Sequence, residues 1–323
     1  MAAQAARVRT AACSIALVTA TDSGRPPRQP QTALAAPIAH GLYRDVAAIE
    51  WVPSDEADVF RLMFSSGLAP RYLKLPLPGT TVVAREVLML PALRARGFPV
   101  LEFEHSSGDL TEIATAFHVT REVPHIPGAD LAASDRPAAR RLATRLGQIV
   151  RRLEILDADT IPGSVRWDRR PSHWWRPQHR ALLGDGRWPA AARQWSARIL
   201  ERLDTPPTGF GGWYGEMLIG TDGSFVMIDW TTAGASWIGE QAAGAMEVLA
   251  GFGDDIKRDL IGHFMRGYAP DGLAPSKLEE LRLWAVHGTL GWVMLQPPTD
   301  ADIGIATQST QRCESSDDPA EWF

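Results

Sequence analysis

The chain has 323 residues, of which 45% are hydrophobic and 22% are charged, and its formal net charge is −5. This composition is typical of a globular protein with one or two domains, and the acidic balance argues against a nucleic-acid partner. No apolar run of about eighteen residues occurs, so no membrane span is expected, and the two cysteines, Cys13 and Cys313, indicate neither a disulfide framework nor a metal site, which makes the cytoplasm the expected location.

The N-terminal part is predicted to contain a leader followed by a β-rich lobe. Residues 23–30 are rich in Ser, Gly, Arg and Pro, so residues 1–41 are predicted to be disordered. Residues 42–126 are predicted to form the lobe. Its apolar runs and turn residues favour a helix at 81–94 and strands at 49–52, 59–64, 72–75, 100–103 and 115–121.

The hydrophobic pattern changes to a helical period at about residue 135. Residues 127–298 are predicted to form a mostly helical C-terminal lobe, and residues 299–323, which lack a pattern, a flexible tail. The predicted helices lie near residues 142–156, 188–203, 240–250, 255–267 and 276–295. The predicted fold class is therefore α+β, with two lobes of different composition.

Asp229 is the candidate metal ligand. It follows the apolar run Phe225–Ile228, and the polar turn Thr221–Ser224 precedes that run. This pattern predicts a β-hairpin whose second strand carries a carboxylate at its end. Because Mg²⁺ prefers oxygen ligands, such a carboxylate is suited to hold the magnesium ion of a nucleotide site.

Lys74 is the candidate phosphate-binding residue, and Glu86 is its candidate partner. Lys74 lies in an apolar strand of a chain whose other lysines are Lys257 and Lys277. Taken alone, Lys74 is equally well explained as a surface lysine at a strand edge. Glu86 favours the functional interpretation, because kinases pair a strand lysine with a helix glutamate to hold the ammonium group at the nucleotide phosphates. Gly67, in the turn before the strand, is a further candidate for covering the phosphates.

These residues give the chain a resemblance to the aminoglycoside phosphotransferase and choline kinase family, from about Trp51 to Gln296. The resemblance implies a bilobal protein-kinase-like fold, ATP (or another nucleoside triphosphate) and Mg²⁺ as cofactors, and Asp229 as the magnesium ligand. The matching stretches follow one another in the family's order: Tyr72-Leu73-Lys74-Leu75 with Glu86, Gly97-Phe98-Pro99-Val100, Pro127-Gly128, Ile228-Asp229-Trp230 with Gly234, and Arg282-Leu283-Trp284.

The predicted catalytic loop departs from the family's pattern. The resemblance implies a His-Gly-Asp loop, whose Asp is the catalytic base, and a magnesium-binding Asn five residues after that Asp. In one alignment Glu216 stands at the Asn position, and Gly211 or Gly212 stands where the base belongs. In the other alignment Tyr214-Gly215-Glu216 matches His-Gly-Asp, and Glu216 is the base. We favour the first, because the second leaves no room for a metal-binding loop. Gln241 stands where the family has an Asp that steadies the loop.

Tryptophan is unusually abundant, with 12 residues in the chain. A helical core is one explanation, and an aromatic groove for a peptide or a flat acceptor is the other. The polar and aromatic run Trp167–Arg176 favours a binding insert. This region lacks the acidic character that a polycationic aminoglycoside requires, which argues against a role in antibiotic resistance. The candidate acceptor contacts are Trp174, Trp175, Trp213 and Tyr214.

Two functions are compatible with this sequence. The first is an ATP- and Mg²⁺-dependent phosphotransferase that acts on a hydroxyl of a small molecule or a peptide, as in the natural-product pathways in which members of the family occur. The second is a pseudokinase scaffold that binds nucleotide or a peptide substrate for a partner enzyme. General base catalysis contributes about 10²- to 10⁴-fold, and phosphoryl transfer depends mainly on positioning and charge neutralisation. Loss of the base therefore lowers transfer without necessarily abolishing it.

Overall fold

The computed structural model describes residues 29–54, 56–109, 115–165, 171–213, 216–230, 232–294 and 297–323. Their contacts divide the chain into two compact units. The first unit comprises the described residues of Met1–His125 together with Ile161–Ser164 and Val226–Thr231, and the remainder of the chain forms the second unit. The division after residue 125 lies next to the predicted boundary at 126/127. The two later segments of the first unit were not predicted, because we expected each lobe to be one continuous stretch.

The first unit contains a five-stranded antiparallel sheet, with strands at Val46–Val52 (β1), Ala57–Phe64 (β2), Arg71–Pro76 (β3), Phe103–Ser106 (β4) and His118–Arg121 (β5). Their order in the sheet is β1-β2-β3-β5-β4. Burial alternates along β3, so Leu73 and Leu75 are buried while Lys74 lies on the opposite face. The predicted strand at 100–103 is wrong in its bounds, because β4 begins at Phe103 and Val100 forms only an isolated bridge.

A helix that the sequence analysis missed packs on this sheet. Helix α1, Thr32–Leu42, lies within the segment 1–41 that we predicted to be disordered, except for its last residue. Its buried residues Ala35, Ile38 and Ala39 belong to the same hydrophobic cluster as Leu73 and Leu75. The residue before the helix is also tied to the sheet, because the Gln31 side chain donates to Asp58 Oδ2 at 2.9 Å and to the Pro76 carbonyl at 2.7 Å. The prediction of disorder is therefore wrong for residues 32–41. Residues 1–28 lie outside the described part of the chain.

The second helix of the unit, α2, spans Val82–Ala95 and matches the predicted helix at 81–94 closely. Its Arg85 donates to the Gly163 carbonyl at 2.8 Å, which joins the segment Ile161–Ser164 to this helix. Burial lowers the pKa of Arg85, whereas the neighbouring Glu86 charge raises it. The later segment is thus held by a specific hydrogen bond from the helix that also carries Glu86.

The second unit is mostly helical, as predicted. It contains α3 Gly128–Ser134, α4 Arg136–Glu154, α5 Pro171–Gly184, α6 Ala190–Leu203, the short strands β6 Gly209–Gly211 and β7 Met217–Ile219, then β9 Gly234–Ser236, α7 Glu240–Ala250, α8 Lys257–Tyr268 and α9 Pro275–Val293. Strand β8, Phe225–Met227, pairs with β7 in the predicted hairpin, and β6 pairs with β9. Helix α4 is amphipathic, and an Asp135 side chain that accepts from the Ala138 backbone caps its start.

The C-terminal segment is ordered, contrary to the predicted flexible tail. Helix α10, Asp300–Ser315, starts with a capping box in which Thr299 and Asp302 bind each other's backbone N–H groups. The final turn ends with Trp322, whose buried indole donates to the Ser316 carbonyl at 2.9 Å. The indole also lies beside the Arg282 guanidinium, 5.5 Å from ring centroid to Cζ. Capping and aromatic burial therefore fix a segment whose sequence lacks a strong hydrophobic period.

Candidate functional site

The predicted ion pair between Lys74 and Glu86 is present in the structure. Lys74 Nζ lies 2.8 Å from Glu86 Oε1, and the Glu86 residue is only 3% exposed. Burial alone would raise the pKa of Glu86, but the nearby Lys74 and His118 lower it to about 2. The pair is thus a lysine on β3 and an ionised carboxylate on α2, held together within one unit. That Lys74 binds nucleotide phosphates stays a prediction.

The other carboxylate oxygen of Glu86 has a partner that the sequence analysis missed. His118 Nε2 lies 3.1 Å from Glu86 Oε2, and His118 is directly opposite Lys74 in the register of β3 and β5. Burial lowers the pKa of His118, whereas the Glu86 carboxylate raises it. Register between separate strands cannot be read from two short apolar runs, so no sequence signal identified His118.

Asp229 lies two residues after the end of β8, where a strand-end carboxylate was predicted. Its φ is 57°, and it is the sole non-glycine residue with positive φ in the described part of the chain. Asp and Asn tolerate this left-handed conformation better than most residues. Buried neighbours hold the segment: Met227 N donates to the Pro99 carbonyl at 2.7 Å, and the Trp230 indole donates to the Met227 carbonyl at 3.1 Å. The half-buried Asp229 belongs to the same unit as Lys74 and Glu86.

Gly211 and Gly212, which the favoured alignment puts where the base belongs, are tightly packed. A Cβ added to Gly211 would stand 2.6 Å from Gln241 Cγ and 2.6 Å from Ser236 Oγ. Gly212 has a φ of +89°, and a Cβ there would stand 2.5 Å from the Thr232 carbonyl oxygen. Contacts shorter than about 3 Å force a rearrangement, so neither position can accept an Asp side chain without moving its neighbours. The local packing requires glycine at both positions.

Hydrogen bonds hold the described residues on either side of 214–215, and one of these bonds uses Gln241. Gln241 Oε1 accepts from the Trp213 backbone N–H at 3.0 Å, the Trp213 indole donates to the Glu216 carbonyl at 2.8 Å, and Thr232 Oγ1 donates to the Gly212 carbonyl at 2.7 Å. Gln241 therefore holds the Trp213 backbone through a neutral amide oxygen. Trp213 is 1% exposed, and its indole N–H is used by the Glu216 carbonyl. This burial does not support the predicted contact of Trp213 with an acceptor.

The remaining predicted residues have different outcomes. Glu216 is half-buried and immediately precedes β7, the place where the first alignment puts a metal ligand. Gly67 has a φ of +78° and no heavy atom within 4 Å of an added Cβ, so the turn geometry explains the glycine. Tyr214 lies outside the described residues, as does the side chain of Trp174, whereas Trp175 is half-buried.

A second group of residues meets on the face of α9 that carries His287, Gly288 and Gly291. Glu247 Oε2, from α7, lies 3.4 Å from the Cβ position of Gly288, and the Trp175 ring, from α5, lies 3.6 Å from that of Gly291. The Trp175 ring is edge-to-face with the His287 ring at a centroid distance of 6.1 Å. No described residue forms a hydrogen bond or an ion pair with the Glu247 carboxylate, and burial raises its pKa to about 7. Trp175 was predicted to contact an acceptor, which stays a prediction, whereas Glu247, a single carboxylate between Met246 and Val248, was not predicted.

The described residues lack two kinds of structural feature. They contain no group of three or more His, Cys, Asp or Glu residues that could hold a metal ion. None of the described helices has both the length and the apolar character needed to cross a membrane.

Comparisons with known proteins identify the fold. No protein-family model matches the sequence, and no curated protein matches it either. A microcompartment-associated aminopropanol kinase is similar in structure, with a TM-score of 0.53 and 16% identity over 87% of this chain and 96% of that chain. A spectinomycin phosphotransferase in complex with ADP and spectinomycin has a TM-score of 0.51 and 13% identity, over 92% and 98% of the two chains. A choline kinase from Cryptosporidium parvum Iowa II has a TM-score of 0.51 and 9% identity, over 88% and 95%. These likenesses confirm the predicted protein-kinase-like fold, in the form that these small-molecule phosphotransferases share.

Proposed function

Because the chain has the fold of small-molecule phosphotransferases, we propose that it is an ATP- and Mg²⁺-dependent phosphotransferase that acts on a hydroxyl group of a small molecule. The observation that carries the proposal is the Lys74–Glu86 ion pair at 2.8 Å, in the same unit as the strand-end carboxylate of Asp229. In kinase-type sites such a lysine contacts the phosphates, and such a carboxylate holds the metal that bridges them. The spectinomycin phosphotransferase of similar fold was solved with ADP, which supports a nucleotide cofactor.

The donor set fits magnesium. Mg²⁺ in phosphate sites usually has one or two carboxylate ligands, and waters and substrate phosphates complete its octahedron. Asp229 is the proposed carboxylate ligand, and Glu216, the residue before β7, stays a candidate for a second on the strength of the alignment alone. The bound metal would neutralise charge on the phosphates. The left-handed backbone of Asp229 would fix the direction of its carboxylate before the nucleotide binds.

A scaffold function is the second candidate, and the packing of Gly211 and Gly212 favours it. Both positions lack space for a base, so any transfer at this site relies on positioning, on charge neutralisation, or on Glu216 as the base. A protein with this loop is suited to bind nucleotide, or a peptide substrate of a partner enzyme, without efficient turnover. Lys74, Glu86 and Asp229 would be retained in either function.

For the acceptor, we propose a hydroxyl compound that carries a single positive charge, with an intermediate of a natural-product pathway as one possible source. The carboxylate of Glu247, which pairs with no described residue, and the ring of Trp175 both lie against the same face of α9, and a carboxylate together with an aromatic ring suits an ammonium group. A bound cation would favour the ionised form of Glu247, whose pKa burial raises to about 7. One carboxylate matches one charge, in agreement with the expectation that the acceptor is not a polycation.

The test is calorimetry with MgATP, followed by an ATP-turnover assay with amino alcohols and quaternary ammonium alcohols as acceptors. Wild-type protein is expected to bind MgATP, and Asp229→Asn is expected to lose the magnesium dependence of binding while it keeps its fold, because Asn also tolerates a positive φ. Unchanged binding by Asp229→Asn would remove the metal assignment. If the wild-type protein binds MgATP but none of the tested acceptors supports turnover, the scaffold function is favoured.

A further inference from the structure

The two oxygens of the Glu86 carboxylate have different partners. Oε1 lies 2.8 Å from Lys74 Nζ, and Oε2 lies 3.1 Å from His118 Nε2. The terminal torsion of a glutamate is broad, so a carboxylate with one partner can rotate and offer both oxygens to it. In this structure the second partner removes that freedom. Glu86 is therefore fixed with only one oxygen directed at the lysine.

The surroundings of His118 determine which of its nitrogens carries the proton. The ring is buried and stacks on Phe103 with a centroid distance of 4.4 Å and an interplanar angle of 21°. Nδ1 is buried and has no hydrogen-bond partner among the described residues, whereas Nε2 faces an ionised carboxylate, which needs a donor. The neutral tautomer with its proton on Nε2 satisfies this geometry, and burial, which lowers the pKa of His118, favours a neutral ring.

We infer that His118 is a positioning residue, which holds Glu86 so that Lys74 is paired through one N–H and presents its other two to a bound phosphate. No described residue accepts a hydrogen bond from those two N–H groups. The inference rests on the proposed nucleotide site for its purpose, but the arrangement of the three side chains is independent of any ligand. His118 acts through Glu86, and nothing in the argument requires it to touch the nucleotide.

The first experiment needs no nucleotide, because the chain has lysines only at 74, 257 and 277. Acetylation by a water-soluble N-hydroxysuccinimide ester, followed by peptide mass spectrometry, gives a separate rate for each. We expect Lys74 to react more slowly than Lys277 in the wild type. In His118→Phe, which keeps a ring to stack on Phe103, Glu86 is free to offer both oxygens to Lys74, so the Lys74 rate is expected to fall by about tenfold, the size expected of one further hydrogen bond between charged groups. His118→Gln, whose amide can replace the Nε2 donor, is expected to restore the wild-type rate.

The controls separate positioning from general damage. His105→Phe changes a histidine on the neighbouring strand β4 that does not contact Glu86, so the Lys74 rate is expected to stay at the wild-type value. The rates of Lys257 and Lys277 should be the same in all variants, since unfolding would raise all three together. An unchanged Lys74 rate in His118→Phe overturns the inference, and so does a failure of His118→Gln to restore it.

Two further measurements keep the inference open to refutation. If His118→Phe does not fold, ¹⁵N NMR of the wild-type imidazole decides the matter, because a proton on Nδ1 rather than Nε2 would overturn the inference. Calorimetry with MgATP tests its consequence: His118→Phe is expected to bind about tenfold more weakly, and His118→Gln is expected to bind like the wild type. Equal binding by all three proteins contradicts the role at the nucleotide. If the wild type itself binds no nucleotide, the proposed function fails, while the acetylation rates still test the role of His118.

Discussion

Introducing a carboxylate at Gly211, one of the two positions that the favoured alignment assigns to the base, is expected to damage the protein rather than to activate it. In Gly211→Asp the new Cβ would meet Gln241 Cγ and Ser236 Oγ, each at 2.6 Å. Overpacking of this kind costs about 1–3 kcal/mol, and burying a polar group without partners costs about 1–3 kcal/mol more. Ser236 cannot easily serve as the missing donor, because its hydroxyl already donates to Glu240 Oε2 at 2.6 Å. The free energy of unfolding should therefore fall by about 2–6 kcal/mol, with no gain of phosphoryl transfer.

Urea unfolding followed by tryptophan fluorescence measures this loss. Gly211→Ala isolates the steric part and should cost about 1–3 kcal/mol. Gly244→Ala is the matched control, because this glycine lies within α7 and an added Cβ meets nothing within 4 Å. It should stabilise the protein by about 0.5–1 kcal/mol through helix propensity. If Gly211→Asp is as stable as the wild type and gains ATP turnover, the conclusion that the packing around Gly211 excludes an Asp side chain is refuted.

Three other predictions concern the charged residues. Lys74→Ala should weaken MgATP binding by about 1.5–3 kcal/mol, and additive effects of Lys74→Ala and Glu86→Ala in a double-mutant cycle would contradict their coupling. Glu216→Asn should keep or improve nucleotide binding if Glu216 is a metal ligand. If it is the base, the same change should leave binding alone and lower transfer by about 10²- to 10⁴-fold. Burial raises the pKa of Glu154 from 4.5 to about 7, so its contribution to stability is present below pH 4.5 and lost as the pH rises to about 7. The free energy of unfolding of Glu154→Gln, relative to that of the wild type, should therefore increase by about 3 kcal/mol between pH 4.5 and pH 8. If urea unfolding gives parallel pH profiles for the two proteins, this prediction is contradicted.

Strong local patterns predicted much of the fold. The predicted helix at 240–250 has the observed bounds of α7, Glu240–Ala250, and the helix near 142–156 overlaps most of α4. Both have apolar residues at helical spacing that become buried. The pairing of Lys74 with Glu86 was also predictable, because the lysine is isolated in an apolar strand and the glutamate follows in the next helix.

The parts that were missed depend on distant contacts. Helix α1 contains Pro37 and follows a proline-rich stretch, and it is stabilised by packing of Ile38 and its neighbours on the sheet. Helix α10 is mostly polar, and its capping box at Thr299 was the one local signal for it. The position of His118 opposite Lys74 depends on strand register, and the crowding at Gly211 depends on residues that lie later in the chain. None of these contacts is encoded within a short window of sequence.

The discontinuous makeup of the first unit has a consequence for synthesis on the ribosome. Its sheet and helices are complete by residue 125, but two later segments belong to the same unit. The hydrogen bond from Arg85 to the Gly163 carbonyl cannot form until Gly163 has been synthesised. The hydrogen bond from the Met227 N–H to the Pro99 carbonyl likewise requires Met227, which is buried together with Trp230. Domains usually fold as units while the chain emerges, but this one remains incomplete until most of the polypeptide has been made. Until Met227 has been synthesised, Pro99 and Val100 lack the backbone pairing that it gives them, and incompletely packed intermediates of this kind are prone to aggregation.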